Sequence, residues 1–134
     1  MLAGLRSIHG LISAALVEPD SAHVLDAVVT HPDMDVHSAP EGASVTSLAA
    51  AASDVIQVID LLAAGFGESD ELEDVIITFG RRHHLIRPLP AAGADGLIVV
   101  VTLDREHTNL ALARMQLRKL APLLTTSTAP GRVS

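Results

Sequence analysis

Leu97-Ile98-Val99-Val100-Val101-Thr102-Leu103 is the most β-branched run in the 134-residue chain. Branching at Cβ restricts χ1 and suits a pleated strand. The run lacks polar alternation, so apolar groups leave on both faces, and such a strand needs cover on both sides. Helices on the two faces of a mainly antiparallel sheet follow from this. Upstream, Val75-Ile76-Ile77-Thr78-Phe79 is another strand with apolar groups on both faces. Gly80-Arg81-Arg82 turns the chain, and His83-His84-Leu85-Ile86-Arg87 returns until Pro88 and Pro90 stop it. A loop with Gly93 and Gly96 then leads into the 97–103 run, giving a three-stranded meander.

Ser44 to Phe66 predicts an amphipathic helix, because Val45, Leu48, Ala52, Val55, Ile59, Leu62 and Phe66 step by three or four residues. Ser44 suits the N-cap, and Gly65 and Gly67 mark the exit. Ala49, Ala50, Ala51 and Ala63 beside the stripe permit close approach by the chain's own sheet or by another helix. Earlier in the chain, Leu11 to Val17 reads as a strand whose alanines also suit a helix, and with His23 to Val29 it is expected to form a hairpin around the turn cluster Glu18-Pro19-Asp20-Ser21. Leu2, Leu5 and Ile8 predict a short helix ended by Gly10, and Thr30 to Gly42 reads as a loop. Asp104 is expected to cap a last helix carrying Leu110, Ala113, Leu117, Leu120 and Leu124, which Pro122 should end near Leu120 or Ala121. The expected fold is α/β: a mainly antiparallel five-stranded sheet between helices, in the order α-β-β-α-β-β-β-α. One domain spans residues 1–124, and 125–134 form a flexible tail rich in Ser, Thr, Gly and Pro.

Composition removes several functions. There is no cysteine, so disulfides, thiolate zinc sites and cysteine nucleophiles are excluded. Nine basic against sixteen acidic residues, net −7, argue against a nucleic-acid groove. With Phe66 and Phe79 as the only aromatics, base-stacking platforms and aromatic cages have no material. No apolar run approaches the roughly 20 residues that span a bilayer. Met1 to Val17 lacks a small-residue cleavage site, so a cytoplasmic protein without membrane insertion is expected.

The chain contains no Walker loop, no G-x-S-x-G elbow and no H-E-x-x-H pair. His31, Asp33, Asp35 and His37 alternate, so an extended segment would point all four the same way, as metal ligands require. Pro32 works against a regular ladder there, and polar residues are ordinary in a loop. His83 and His84 are adjacent on a strand and leave opposite faces, so they cannot chelate together; one is expected exposed and the other packed or hydrogen-bonded. The carboxylates from Glu68 to Asp74 have little apolar cover to raise a pKa for general-acid work, and a solvated role is expected. Arg81, Arg82 and Arg87 suit an acidic patch, on a partner or on this chain's own surplus of acids.

Leu72-Glu73-Asp74-Val75-Ile76-Ile77-Thr78, His84-Leu85-Ile86-Arg87-Pro88-Leu89, Leu103-Asp104-Arg105 and Asn109-Leu110-Ala111-Leu112-Ala113-Arg114 together resemble the bacterial branch of the roadblock (dynein light chain, longin-like) family. The match is specific mainly from Leu72 to Arg118, and the element order over Met1 to Leu124 agrees with it. The resemblance implies a homodimer in which central helices lie side by side and third strands pair across a two-fold axis. Here those elements are Ser44–Phe66 and Val75–Phe79, with Leu48, Ala52, Val55, Ile59, Val75, Ile77 and Phe79 as interface candidates. It further implies a non-catalytic regulator or scaffold of a small Ras-like GTPase, in bacteria often beside a sensor-kinase-like protein, with no cofactor, metal or catalytic residue. A small metal-dependent enzyme using the His31–His37 segment, or a ligand-sensing module with a pocket between helix and sheet, are the alternatives.

Overall fold

A computed structural model describes residues 2–30, 34–35, 43–67, 72–89 and 96–127. The chain begins with a 3-10 turn, Ala3–Ser7, then β1 (Leu11–Glu18), β2 (His23–Val29) and two short segments, β3 (Met34–Asp35) and β4 (Ala43–Ser44), paired in parallel. Next come α1 (Val45–Phe66), β5 (Val75–Thr78), β6 (Arg82–Pro88), β7 (Ile98–Asp104) and α2 (Leu110–Ser127). The main sheet has the order β2-β1-β7-β6-β5, and every pairing in it is antiparallel. The expected hairpin, meander and five-stranded sheet between helices are therefore present.

β7 behaves as its composition requires. Val99, Val101 and Leu103 enter one core with Leu5, Leu16, Leu85 and the inner face of α2, namely Ala113, Leu117, Ala121 and Leu124. Ile98 and Val100 enter the other with Ile12, Ala15, Val17, Ile86 and the docked residues of α1. The N-terminal turn adds Leu2, Leu5 and Ile8 to the α2 side, and their three-residue spacing matches the 3-10 repeat. Asp26 holds that segment from β2 by accepting from the Leu2 N–H at 3.0 Å.

Both ends of α1 follow from sequence. Ser44 is extended (φ −134°) and its hydroxyl accepts from the Ser47 N–H at 3.0 Å. Gly67 takes φ +68° and donates to the Ala63 and Ala64 carbonyls. The ends of α2 differ from expectation. Asp104 does not cap it: Asp104 closes β7, paired across the ladder with Arg82, and its carboxylate accepts from Glu106 N–H (3.0 Å) and meets His107 Nδ1 (2.8 Å). Asn109 caps the helix instead, its Oδ1 accepting from the Leu112 N–H at 3.1 Å. Nor does Pro122 end it, since α2 continues to Ser127. Proline costs one backbone hydrogen bond there, but buried Ala121 and Leu124 hold the final turns on the sheet.

Gly10 joins the N-terminal turn to β1 at φ +89°, and its carbonyl accepts from the Asp104 N–H at 2.8 Å. A Cβ at this position would lie 2.0 Å from Thr108 Oγ1 and 3.0 Å from the His107 carbonyl oxygen. Gly10→Ala combines a left-handed backbone with steric overlap, so a loss of about 2–4 kcal/mol is expected in urea denaturation. An unchanged midpoint would mean that the junction relaxes freely.

Candidate functional site

α1 lies chiefly over β1, β2 and β7, and it is docked by its first half: Val45, Ala49, Ala52, Ser53 and Ile56 are buried. No residue of α1 after Ile56 is buried, and Val58, Leu61, Leu62 and Phe66 are exposed, Leu61 by 73% and Phe66 by 75%. By length and composition this helix could cross a membrane. Asp54 and Asp60 interrupt its apolar surface, and its first half is part of the domain core. The helix therefore keeps an apolar flank after the monomer has folded.

The second apolar excess is at the sheet edge. Among the described residues β5 pairs with β6 alone, leaving one row of its backbone N–H and C=O groups without a described strand partner. Its alternate side chains divide between layers: Ile76 packs on the α2-side core, Val75 on the α1 side. Ile77 is half-buried, lies opposite His84 in the ladder and joins neither core. Phe79, just past the strand, is 64% exposed. Its ring meets the His84 ring edge-on, with centroids 5.9 Å apart.

Of the seven interface candidates, Leu48, Val55, Ile59, Val75 and Ile77 are half-buried and Phe79 is exposed. Ala52, at 3% exposure, is committed to the chain's own core. Val58 and Leu61 were missed because they lie off the stripe that the helical period picks out. Their signal is that α1 is apolar around more of its circumference than one sheet can cover.

Two electrostatic readings change. Asp74 is not solvated: its side chain is 5% exposed and accepts from Arg87 Nη1 (3.1 Å), Arg114 Nε (3.2 Å) and Arg114 Nη2 (3.2 Å). Glu73 pairs with Arg118 at the surface. Thus Arg87 serves this chain's own acid, and the approach to β5 is tied to β6 and α2. Neither histidine of the 83–84 pair is free. His83 is buried with Nδ1 2.8 Å from Thr78 Oγ1, and half-buried His84 has Nδ1 3.0 Å from Thr102 Oγ1.

Burial, then the nearby charges of Arg82 and His83, lowers the His84 pKa below the ordinary 6.5. The unfolded chain therefore takes up this proton first as pH falls. The contribution of neutral His84 is fully present above about 6.5 and declines below it. His84→Gln should flatten the fall in stability between pH 7.5 and 5.5, measured by urea denaturation at each pH. An identical slope in the variant would remove His84 as the cause. Exposed His107 has the opposite sign, because Asp104 raises its pKa; its contribution is present at low pH and is lost as pH rises.

The described residues contain no group of three or more His, Asp or Glu able to hold a metal ion. The His31, Asp33, Asp35, His37 candidate lies outside the described side chains. A cleft of about 1160 Å³ separates the second half of α1 from the approach to β5 and the beginning of β7, with Ile59, Phe66, Leu72 and Ile98 in its walls. Among the described residues no buried side-chain polar atom lacks a partner. Asp60, Glu73, Arg87 and Arg118 also line the cleft, and of these Arg87 is paired with Asp74 and Arg118 with Glu73.

No family model matches the sequence, and no curated protein matches it. Solved structures do. A Roadblock/LC7 domain from Streptomyces avermitilis superposes with a TM-score of 0.69 at 19% identity, covering 100% of this chain and 95% of its own. MglB of Myxococcus xanthus gives 0.69 at 19% identity over 88% of this chain and 77% of its own. An MglB structure with a tetrameric arrangement gives 0.68 at 20% identity over 92% and 80%. Identity this low speaks to the fold, and what these superpositions establish is that the chain has the bacterial roadblock/LC7 fold.

Proposed function

We propose that the protein is a non-catalytic, homodimeric regulator or scaffold for a small Ras-like GTPase in a bacterial, cytoplasmic signalling complex. The observation that carries this reading is the pair of uncovered apolar surfaces, the outer flank of α1 and the open edge at β5 with Ile77 and Phe79. A symmetric partner covers both and closes the sheet edge, which an isolated monomer leaves open to uncontrolled pairing. The tetrameric arrangement named for one MglB structure supports self-association as a use of this fold. The GTPase partner, and a sensor-kinase-like neighbour, come from the family resemblance alone.

A bilayer is a weaker occupant for α1. Interfacial helices carry Lys and Arg against anionic lipid, whereas the charges of this helix are Asp54 and Asp60. The resemblance carries over no catalytic residue to this chain, so regulation would act by geometry. A dimer surface shifts a GTPase switch only through different affinities for its two nucleotide states. Retention of purified candidate GTPases loaded with GDP or a GTP analogue tests this. Preferential retention of one form is expected; equal, negligible retention of both would defeat the regulatory reading.

A further inference from the structure

The chain reverses charge from one end of β5 to the other. Residues 68–74, before the strand, contain Glu68, Asp70, Glu71, Glu73 and Asp74; Phe79-Gly80-Arg81-Arg82 follows it. Arg87, Arg114 and Arg118 are held by Asp74 and Glu73. Arg81 and Arg82 are exposed and form no ion pair with a described residue. Asp104, across the ladder from Arg82, gives its carboxylate to Glu106 N–H and His107. The turn bearing the two arginines is fixed: the Arg81 carbonyl accepts from the Arg105 N–H (2.9 Å), and Phe79 and Arg82 exchange backbone hydrogen bonds at 2.9 and 3.3 Å.

An antiparallel pairing of β5 with itself, centred between Ile76 and Ile77, sets Val75 of each copy opposite Thr78 of the other. The same register sets Glu73 opposite Gly80, one and two positions from Arg81 and Arg82. We infer that Arg81 and Arg82 are a specificity clamp for a second copy of this chain, engaging Glu73 just before its β5. The two-fold axis makes the contact twice, and it opposes a parallel or shifted pairing that would bring like charges together. The inference rests on the homodimer reading above and adds to it what fixes register and partner. Glu73 is suited to the task because its side chain is 57% exposed even while it meets Arg118.

Sedimentation of the full chain decides it, using wild type, Arg81→Glu/Arg82→Glu, Glu73→Arg and an equimolar mixture of the two variants. Each variant alone places like charges at both contacts and should associate at least about tenfold more weakly. The mixture places opposite charges at both contacts and should regain association, which also shows that both variants are folded. If wild type and each variant associate equally, the clamp is wrong and the homodimer stands. If concentrated wild type remains monomeric, the homodimer reading falls and the clamp falls with it.

Discussion

Leu61→Asp should turn a self-associating protein into a folded monomer. Leu61 projects from the second half of α1 and is 73% exposed in the single chain. Removing it therefore costs the monomer core nothing. In a dimer with α1 at the interface, each copy loses one leucine of about 2 kcal/mol, and the two-fold axis doubles this to about 4 kcal/mol. That corresponds to roughly a thousandfold in dissociation constant before the cost of burying the new carboxylate is counted. Sedimentation should report the monomer at concentrations where wild type is associated, with far-UV circular dichroism and melting of the isolated chain unchanged. Ala52→Leu provides the contrast. Ala52 faces the sheet among Ala15, Ile56 and Val100, so overpacking there should lower stability. If Leu61→Asp leaves association intact, the outer flank of α1 is not the contact.

How far these surfaces can be read from residues alone differs between elements. β7 was legible because seven consecutive strand-forming residues with no alternation admit one solution, a central strand covered on both faces, and it occupies the middle of the sheet. α1 was legible in its extent and caps because Ser44 and Gly67 each offer a local hydrogen-bonding solution. Which side of it docks was not. A helix apolar around most of its circumference presents several acceptable stripes, and the sheet's shape selects among them. The stripe through Leu62 and Phe66 has the right period, yet both residues are exposed because the docked part of the helix ends at Ile56.

The start of α2 failed for a related reason. Asp104 and Asn109 are both good caps, and the strand claimed the first through its ladder contact with Arg82. Pro122 misled because a helix already docked through Ala113, Leu117, Ala121 and Leu124 tolerates one missing hydrogen bond. The role of Asp74 is set by chain segments 13 and 40 residues away, beyond the reach of any local pattern. Of the seven interface candidates, Ala52 faces inward, a placement that the stripe's period alone does not reveal.

Asp74→Ala should be the most damaging single change to stability at this edge. The carboxylate accepts three hydrogen bonds from two guanidinium groups, and it joins the residue just before β5 to β6 through Arg87 and to α2 through Arg114. Its side chain is 5% exposed and that of Arg87 12%, so truncation leaves a largely buried cation without a counter-charge. Breaking a buried pair from one side costs about 3–5 kcal/mol. Arg114, at 37% exposure, regains part of its hydration, which places the expected loss near the lower limit, about 3 kcal/mol. Asp74→Asn keeps the shape and one acceptor oxygen, so it should lose less. A double-mutant cycle with Arg114→Ala should return a coupling of about 1–2 kcal/mol, read from urea midpoints. Because β5 has only β6 as a strand neighbour among the described residues, loosening the residue before it frees the edge on which the proposed self-association depends. Asp74→Ala should therefore also weaken the dimer without touching any exposed apolar residue. Wild-type stability together with wild-type association in this variant would show that the three-residue ion cluster does not organise the edge.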